Sequence, residues 1–321
     1  MKLFSGKANH FLTVTIKIMI VVVAFIFVWQ RLQKDWQSYD DNFLSELYVS
    51  SLYLNIAILL FITAVNWALD ASRWSVLVSN FQPVSRSAAI KQTLAAHVAS
   101  FITPAKTGEY GAKALYFSRP HRKKIVVLNF LGNMYQMLAT LVFGTVGFGL
   151  VCYVFKPTYF IWYVLIVLAG IGVCFLIPRN LSRLRWSIKG HSWQRVRDYV
   201  LDIPKSIRIK AKIFSFIKYA VFSHQFYFLL VILDFPLNYP IAMGLIASMY
   251  LLSSLVPVMQ FFDVVVRGGV AVLLFGWAQV PPSMIVIVTT TMWLFNVVFP
   301  LIPGSYFLMR FKTDHKIDTV L

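Results

Sequence analysis

The sequence predicts an all-α polytopic membrane protein with an inverted-topology repeat: about six full spans and two re-entrant helical hairpins, or eight or more spans if the hairpins cross. Three observations lead there. Hydrophobic residues make up 59% and charged residues 13% of the 321 positions, with a mean hydropathy of +0.70, against roughly 45–50% apolar and 25% charged in soluble domains. Apolar runs of membrane-spanning length recur along the chain. Two shorter, interrupted apolar segments carry charges in a matching pattern.

Runs long enough to cross a core of about 30 Å lie near 11–31, 52–72, 125–155, 158–178, 213–235 and 282–308. Lys2 and Lys7 precede the first in the manner of a signal peptide, but no small-residue cleavage site follows Trp29-Gln30-Arg31, so an uncleaved span is expected. The broken pieces are 92–102, 108–117, 240–256 and 261–277. Cys152 and Cys174 sit inside apolar runs and read as small hydrophobes rather than a disulfide or a zinc site.

Thirty Lys and Arg against 12 Asp and Glu give a net charge of +18, and the distribution carries topology. The N-terminus, 73–91 (including Arg73), 119–124, 179–212 and the C-terminal tail hold 22 of the 30, whereas the alternate loops hold only Arg31, Lys34 and Lys156. The positive-inside rule then places both termini and the 179–212 loop in the cytoplasm of a multi-pass inner-membrane protein. Nucleic acid is not an expected partner. Within 179–212, Trp193, Val196, Val200 and Ile203 recur at helical spacing before Pro204. An interfacial helix on an anionic leaflet and a loop with a buried helix face both fit. Lys17 and Lys218 lie near cytoplasmic span ends and read as snorkelling. That leaves Lys106, Lys113 and Arg267 unexplained within apolar sequence.

These three fall in the broken segments. In 95–117, Pro104 removes a helix donor and Gly108 permits a reversal, so two half-helices should enter and leave on the cytoplasmic side. In 249–277, Pro257 and the Gly268-Gly269 pair have the same parts, and flanking loops without Lys or Arg open this hairpin outward, with full spans an alternative. In each an acid is followed four residues later by a base, Glu109 with Lys113 and Asp263 with Arg267, on one helix face. The two pairs are 154 residues apart. The single transmembrane domain thus divides into repeats at 52–155 and 213–308 of opposite orientation, a plan of transporters with broken helices at the midplane. A charged residue at depth costs about 2.5–3.5 kcal/mol, so a substrate site at the hairpin tips is expected, formed by Lys106, Glu109, Lys113, Asp263 and Arg267. Self-neutralising structural pairs are the other reading. Asn129, Asn133 and Gln136 form one stripe of the third span, as a polar pathway or as interhelical hydrogen bonding. Asn66, Asp70, His97, His224 and Asn296, taken singly, read as packing contacts.

No glycine-rich nucleotide loop, HExxH, paired-cysteine spacing or activated nucleophile is present, and the longest extramembrane stretch, about 34 residues, is short of a domain. No catalytic residue, cofactor or metal is expected, and ATP-driven export by this chain alone is excluded. The run Pro104-Ala-Lys-Thr-Gly-Glu-Tyr-Gly-Ala-Lys-Ala-Leu resembles the flippase-like membrane region of bacterial lysylphosphatidylglycerol synthases and their stand-alone relatives, with Pro104, Gly108, Glu109 and Lys113 matching the first family motif. Only Pro257 and Arg267 match the second, where Gly268 replaces a glutamate and Asp263 supplies acid one turn earlier. The resemblance implies handling of lipid head groups between leaflets, without the soluble synthase domain. The expected function is a lipid flippase or polar-lipid transporter whose partners are anionic membrane phospholipids, with a homo-oligomer or a partner enzyme left open. The alternative is an accessory protein for a lipid- or glycan-modifying enzyme. An intramembrane enzyme acting on lipid phosphate ranks third.

Overall fold

The computed structural model describes residues 52–311 except 102, 104–105, 157, 166, 169–186, 189–190, 236 and 257, together with 26, 29, 30 and 33. The expected first span falls almost wholly outside the described residues. So do Cys174, Pro104, Pro257 and the second half of the expected span 158–178, of which 158–165 and 167–168 are helical.

In chain order the helices are α1 (Leu52–Val78), α2 (Arg86–Phe101), α3 (Thr107–Leu115) and α4 (Arg122–Phe155, after a 3-10 turn at Arg119–His121), then α5 (Trp193–Asp202), α6 (Lys205–Ile232), α7 (Tyr239–Ser254), α8 (Gln260–Gly276) and α9 (Pro282–Met309). The only strands among the described residues are the antiparallel pair Ser187–Ile188 and His191–Ser192. Local chemistry sets the boundaries. Pro83 cannot continue a helix, and Ser85 Oγ accepts the Ala88 N–H at 3.2 Å to cap α2. Pro204 stands immediately before α6, and Pro240 and Pro282 lie in the first turns of α7 and α9, where a missing N–H is harmless.

Four helices, α1, α4 with its leading turn, α6 and α9, are long and apolar enough to cross a membrane. No charged residue lies between Lys124 and Lys156 of α4. Large apolar side chains face outward, among them Tyr53, Phe61, Val146 and Ile302, which are 68–88% exposed. So many exposed large apolar side chains are unusual on a water-soluble surface and suit contact with lipid. The chain is therefore a helical membrane protein.

Inside, α1 packs on α6, α4 on α7, α8 on α9, and α2 between α3 and the C-terminal half of α9. One core gathers Phe226, Leu230, Ile246, Met249, Phe275 and Ile285; another, around α1 and the start of α4, gathers Trp74, Leu77, Ile125, Leu128 and Ile203. Ile203 is buried, with Tyr199 and Val200 packed beside it, so the C-terminal end of α5 lies against protein. Helices α4 and α7 approach closely because Gly147 faces Gly244: a Cβ on Gly147 would meet the Gly244 carbonyl oxygen at 2.8 Å.

Three sequence expectations need correction. Helix α1 continues to Val78, so Arg73 is a buried helical residue and not a loop charge that marks topology. Gly268 and Gly269 are buried in the middle of α8 rather than at the reversal, which precedes the start of α8 at Gln260, and a Cβ on Gly268 would make only ordinary contact with Thr289 Oγ1 at 3.5 Å. Gly108 lies in the first turn of α3, and its lack of a side chain serves close approach. A Cβ there would stand 2.1 Å from the Ala99 carbonyl oxygen. The reversal itself falls on Lys106, whose φ of 57° is left-handed.

Candidate functional site

The first acid-base pair forms as its spacing requires. Lys113 Nζ donates to Glu109 Oε1 at 2.7 Å and to Asn129 Oδ1 of α4 at 2.9 Å, and lies 4.6 Å from the Trp74 ring centroid. Trp74 is itself held by its Nε1–H on Gln92 Oε1 at 2.8 Å. Lys113 is thereby sealed, with its side chain 2% exposed, while Glu109 shows 13%. The second pair, Arg267 Nη2 to Asp263 Oδ2 at 2.6 Å, stays open at 24% and 25%. The Arg267 guanidinium lies 5.4 Å from the Tyr250 ring and 5.8 Å from the Phe222 ring, a cation–π setting.

A third charge cluster joins them that the sequence reading did not assemble. Asp70 Oδ1 accepts from Arg73 Nη2 at 2.5 Å and from Lys218 Nζ of α6 at 2.8 Å. Arg73 also reaches Gly132 O at 3.0 Å, Gln136 Oε1 at 3.3 Å and Ser215 Oγ at 3.4 Å through Nη1. It is a buried cross-link between α1, α4 and α6. Lys218 has Asp70 as its salt-bridge partner and keeps its side chain 22% exposed. Snorkelling to an interface is thus not what Lys218 does: it turns inward to Asp70.

Beside this cluster a ladder of amides joins α1, α6 and α9. Gln225 Nε2 donates to Thr63 Oγ1 at 2.9 Å, Asn296 Nδ2 to Gln225 Oε1 at 3.0 Å, and Asn66 Nδ2 to Asn296 Oδ1 at 3.1 Å. Asn296 lies in a π-helical turn, Leu294–Val298, within α9, a local widening frequent at functional sites. His97 Nε2 donates to Val297 O of the same turn at 2.9 Å. The two broken segments also meet. Ser100 Oγ lies 2.9 Å from Gln260 Oε1, and Trp293 Nε1 donates to Gln260 O at 3.2 Å.

These groups surround a half-open cavity of about 510 Å3, within the size range of small-ligand sites. Of the residues expected to bind substrate, Lys106, Glu109, Asp263 and Arg267 line it, as do Asn133 and Gln136 of the polar stripe. Asn133 Nδ2 donates to the Tyr110 hydroxyl at 3.2 Å. Lys113 and Asn129 stand behind the wall, bonded to each other. Asp70, Arg73 and Lys218 complete the charged lining: three carboxylates against four cations. Trp67, Thr93 and Tyr250 belong to the same wall, and their Nε1, Oγ1 and Oη atoms are shut from solvent with no hydrogen-bond partner among the described residues. The acid-base spacing of Asp70 and Arg73, three apart, was the available signal for the third cluster. Lys218, 148 residues from Asp70 in sequence, had none.

Comparison of the chain with protein-family models gives no match, and comparison with curated proteins gives none either.

Proposed function

We propose that the protein is a lipid flippase or polar-lipid transporter of the bacterial inner membrane, moving phospholipid-type head groups between leaflets. The observation that carries this reading is the half-open cavity walled by seven charged side chains inside a bundle whose outer face is apolar. Charge at membrane depth is costly, and one salt bridge would have sufficed to tie the helices together. Three carboxylates converge instead on one polar space from α1, α3 and α8. Such a space shelters a polar head group while the acyl chains stay in lipid. In this reading α2–α3 and α7–α8 are counterparts in an inverted repeat, the expected plan for alternating access, with both termini cytoplasmic.

The test is leaflet exchange of a fluorescent phospholipid in liposomes containing the purified protein. Exchange well above that of protein-free liposomes is expected. A rate equal to theirs across anionic and zwitterionic lipids would overturn the reading and favour the non-transporting accessory role.

A further inference from the structure

Which head groups the cavity accepts follows from which of its charges are already spent. Glu109 is matched by Lys113 at 2.7 Å, Asp263 by Arg267 at 2.6 Å, and Asp70 by both Arg73 and Lys218. Each carboxylate of the lining is already matched by a cation, so the cavity offers no unbalanced negative charge to an ammonium group. The cations are differently placed. Arg73 is only 5% exposed and its donors are used on four acceptors. Lys218 has three donors, of which one is directed to Asp70, and its side chain is open to the cavity. Lys106 is exposed at the tip of the first hairpin and makes no salt bridge among the described residues. A left-handed backbone on a non-glycine residue is strained and is held only where the surroundings impose it. Here it is imposed where α3 begins, on a lysine that lines the cavity. Lys106 and Lys218 both line this cavity, so an anion lodged in it is drawn to both.

We infer that Lys106 and Lys218 form an oxyanion subsite for the phosphate of a net-anionic phosphodiester, so that the cavity selects anionic over zwitterionic head groups. The carboxylates act as internal counter-ions rather than as receptors for an amine. Asp70 leaves Lys218 only partly neutralised, holding the ammonium in place while its remaining donors reach the ligand. This deepens the flippase reading for the same cavity, but binding selectivity is measurable without transport.

The experiment measures binding of short-chain phosphatidylglycerol, short-chain phosphatidylcholine and inorganic phosphate to the detergent-purified protein, by tryptophan fluorescence and by calorimetry. Wild-type protein is expected to prefer the anionic lipid by about tenfold, the scale of one charge-assisted contact. Lys106→Gln and Lys218→Met should each lose most of that preference, while Lys218→Arg, which retains Asp70 and the charge, should keep it. Thermal unfolding identifies any variant that has lost its fold, and Lys106→Gln, at an exposed position, guards against that outcome for Lys218→Met. Equal affinity of the wild type for the two lipids, or a preference unchanged in both charge-removing variants, overturns the subsite. Inorganic phosphate that binds as tightly as the anionic lipid would overturn the lipid as the source and assign the subsite to soluble phosphate esters. Preserved anionic selectivity in a protein that fails to exchange lipid would contradict the flippase reading alone.

Discussion

The two acid-base pairs that look alike in sequence end in opposite environments. Glu109–Lys113 and Asp263–Arg267 share the same four-residue spacing in a short helix after a break, yet Lys113 is 2% exposed and Arg267 is 24%. The difference lies in the neighbours. Helix α3 is nine residues long and is covered by Trp74 of α1 and Asn129 of α4, which close over Lys113. Helix α8 turns its pair toward the cavity, with the Phe222 and Tyr250 rings beside the guanidinium. Spacing on a helix decides whether two charges meet; the helices packed around them decide whether anything else can.

The largest expected effect breaks the sealed pair. Lys113→Met leaves Glu109 among buried groups without its counter-ion, and a buried pair that loses one partner is destabilised by about 3–5 kcal/mol. Arg267→Met, at the open pair, should cost about 1 kcal/mol or less, because the cavity solvates Asp263. Thermal unfolding in detergent measures both; equal losses would erase the distinction between the pairs.

Next comes the packing contrast between the two broken segments. Gly108→Ala would drive a Cβ into the Ala99 carbonyl, where backbone cannot yield cheaply, and should cost about 1–3 kcal/mol as an overpacking. Gly268→Ala meets only Thr289 Oγ1 at van der Waals distance and should stay within about 0.5 kcal/mol, the range of substitutions that disturb no special feature. A larger loss at Gly268 than at Gly108 would reverse the assignment of which glycine holds its helices close.

Much of this was legible in the sequence. Hydropathy marks α1, α4, α6 and α9 because each must pass about 20 apolar residues through lipid, and the pair spacing identifies Glu109, Lys113, Asp263 and Arg267. The two charge errors share one cause. A span drawn from apolar residues is trimmed at a basic residue near its end, so 52–72 stops short of Arg73 and 213–235 begins after Lys212. Arg73 then counts as a loop charge, and Lys218 becomes a residue near an interface. Their partner is Asp70, and only the packing of α1 on α6 brings Lys218 to it. Gly268 and Gly269 were misread for a different reason: in water such a pair tends to break a helix, whereas here both continue α8 and are buried in it.

The smallest expected effect concerns the junction between the two broken segments. Ser100→Ala removes the hydroxyl beside Gln260 Oε1 and should cost about 1 kcal/mol, readable as a modest fall in unfolding temperature. Gln260 keeps its backbone contact with Trp293. A loss as large as that of Lys113→Met would make this junction, rather than the sealed pair, the main tie of the first hairpin.

The central claim is that the open cavity is where the head group passes. Thr140 lines that cavity without belonging to any of its ion pairs, so a single cysteine placed there, with Cys152 and Cys174 replaced by alanine, reports on it directly. Leaflet exchange of a labelled anionic phospholipid is measured in liposomes before and after the Thr140→Cys side chain reacts with a bulky methanethiosulfonate. The account predicts exchange that falls to the protein-free rate on modification and returns on reduction; exchange that continues unchanged with the cavity filled would contradict it.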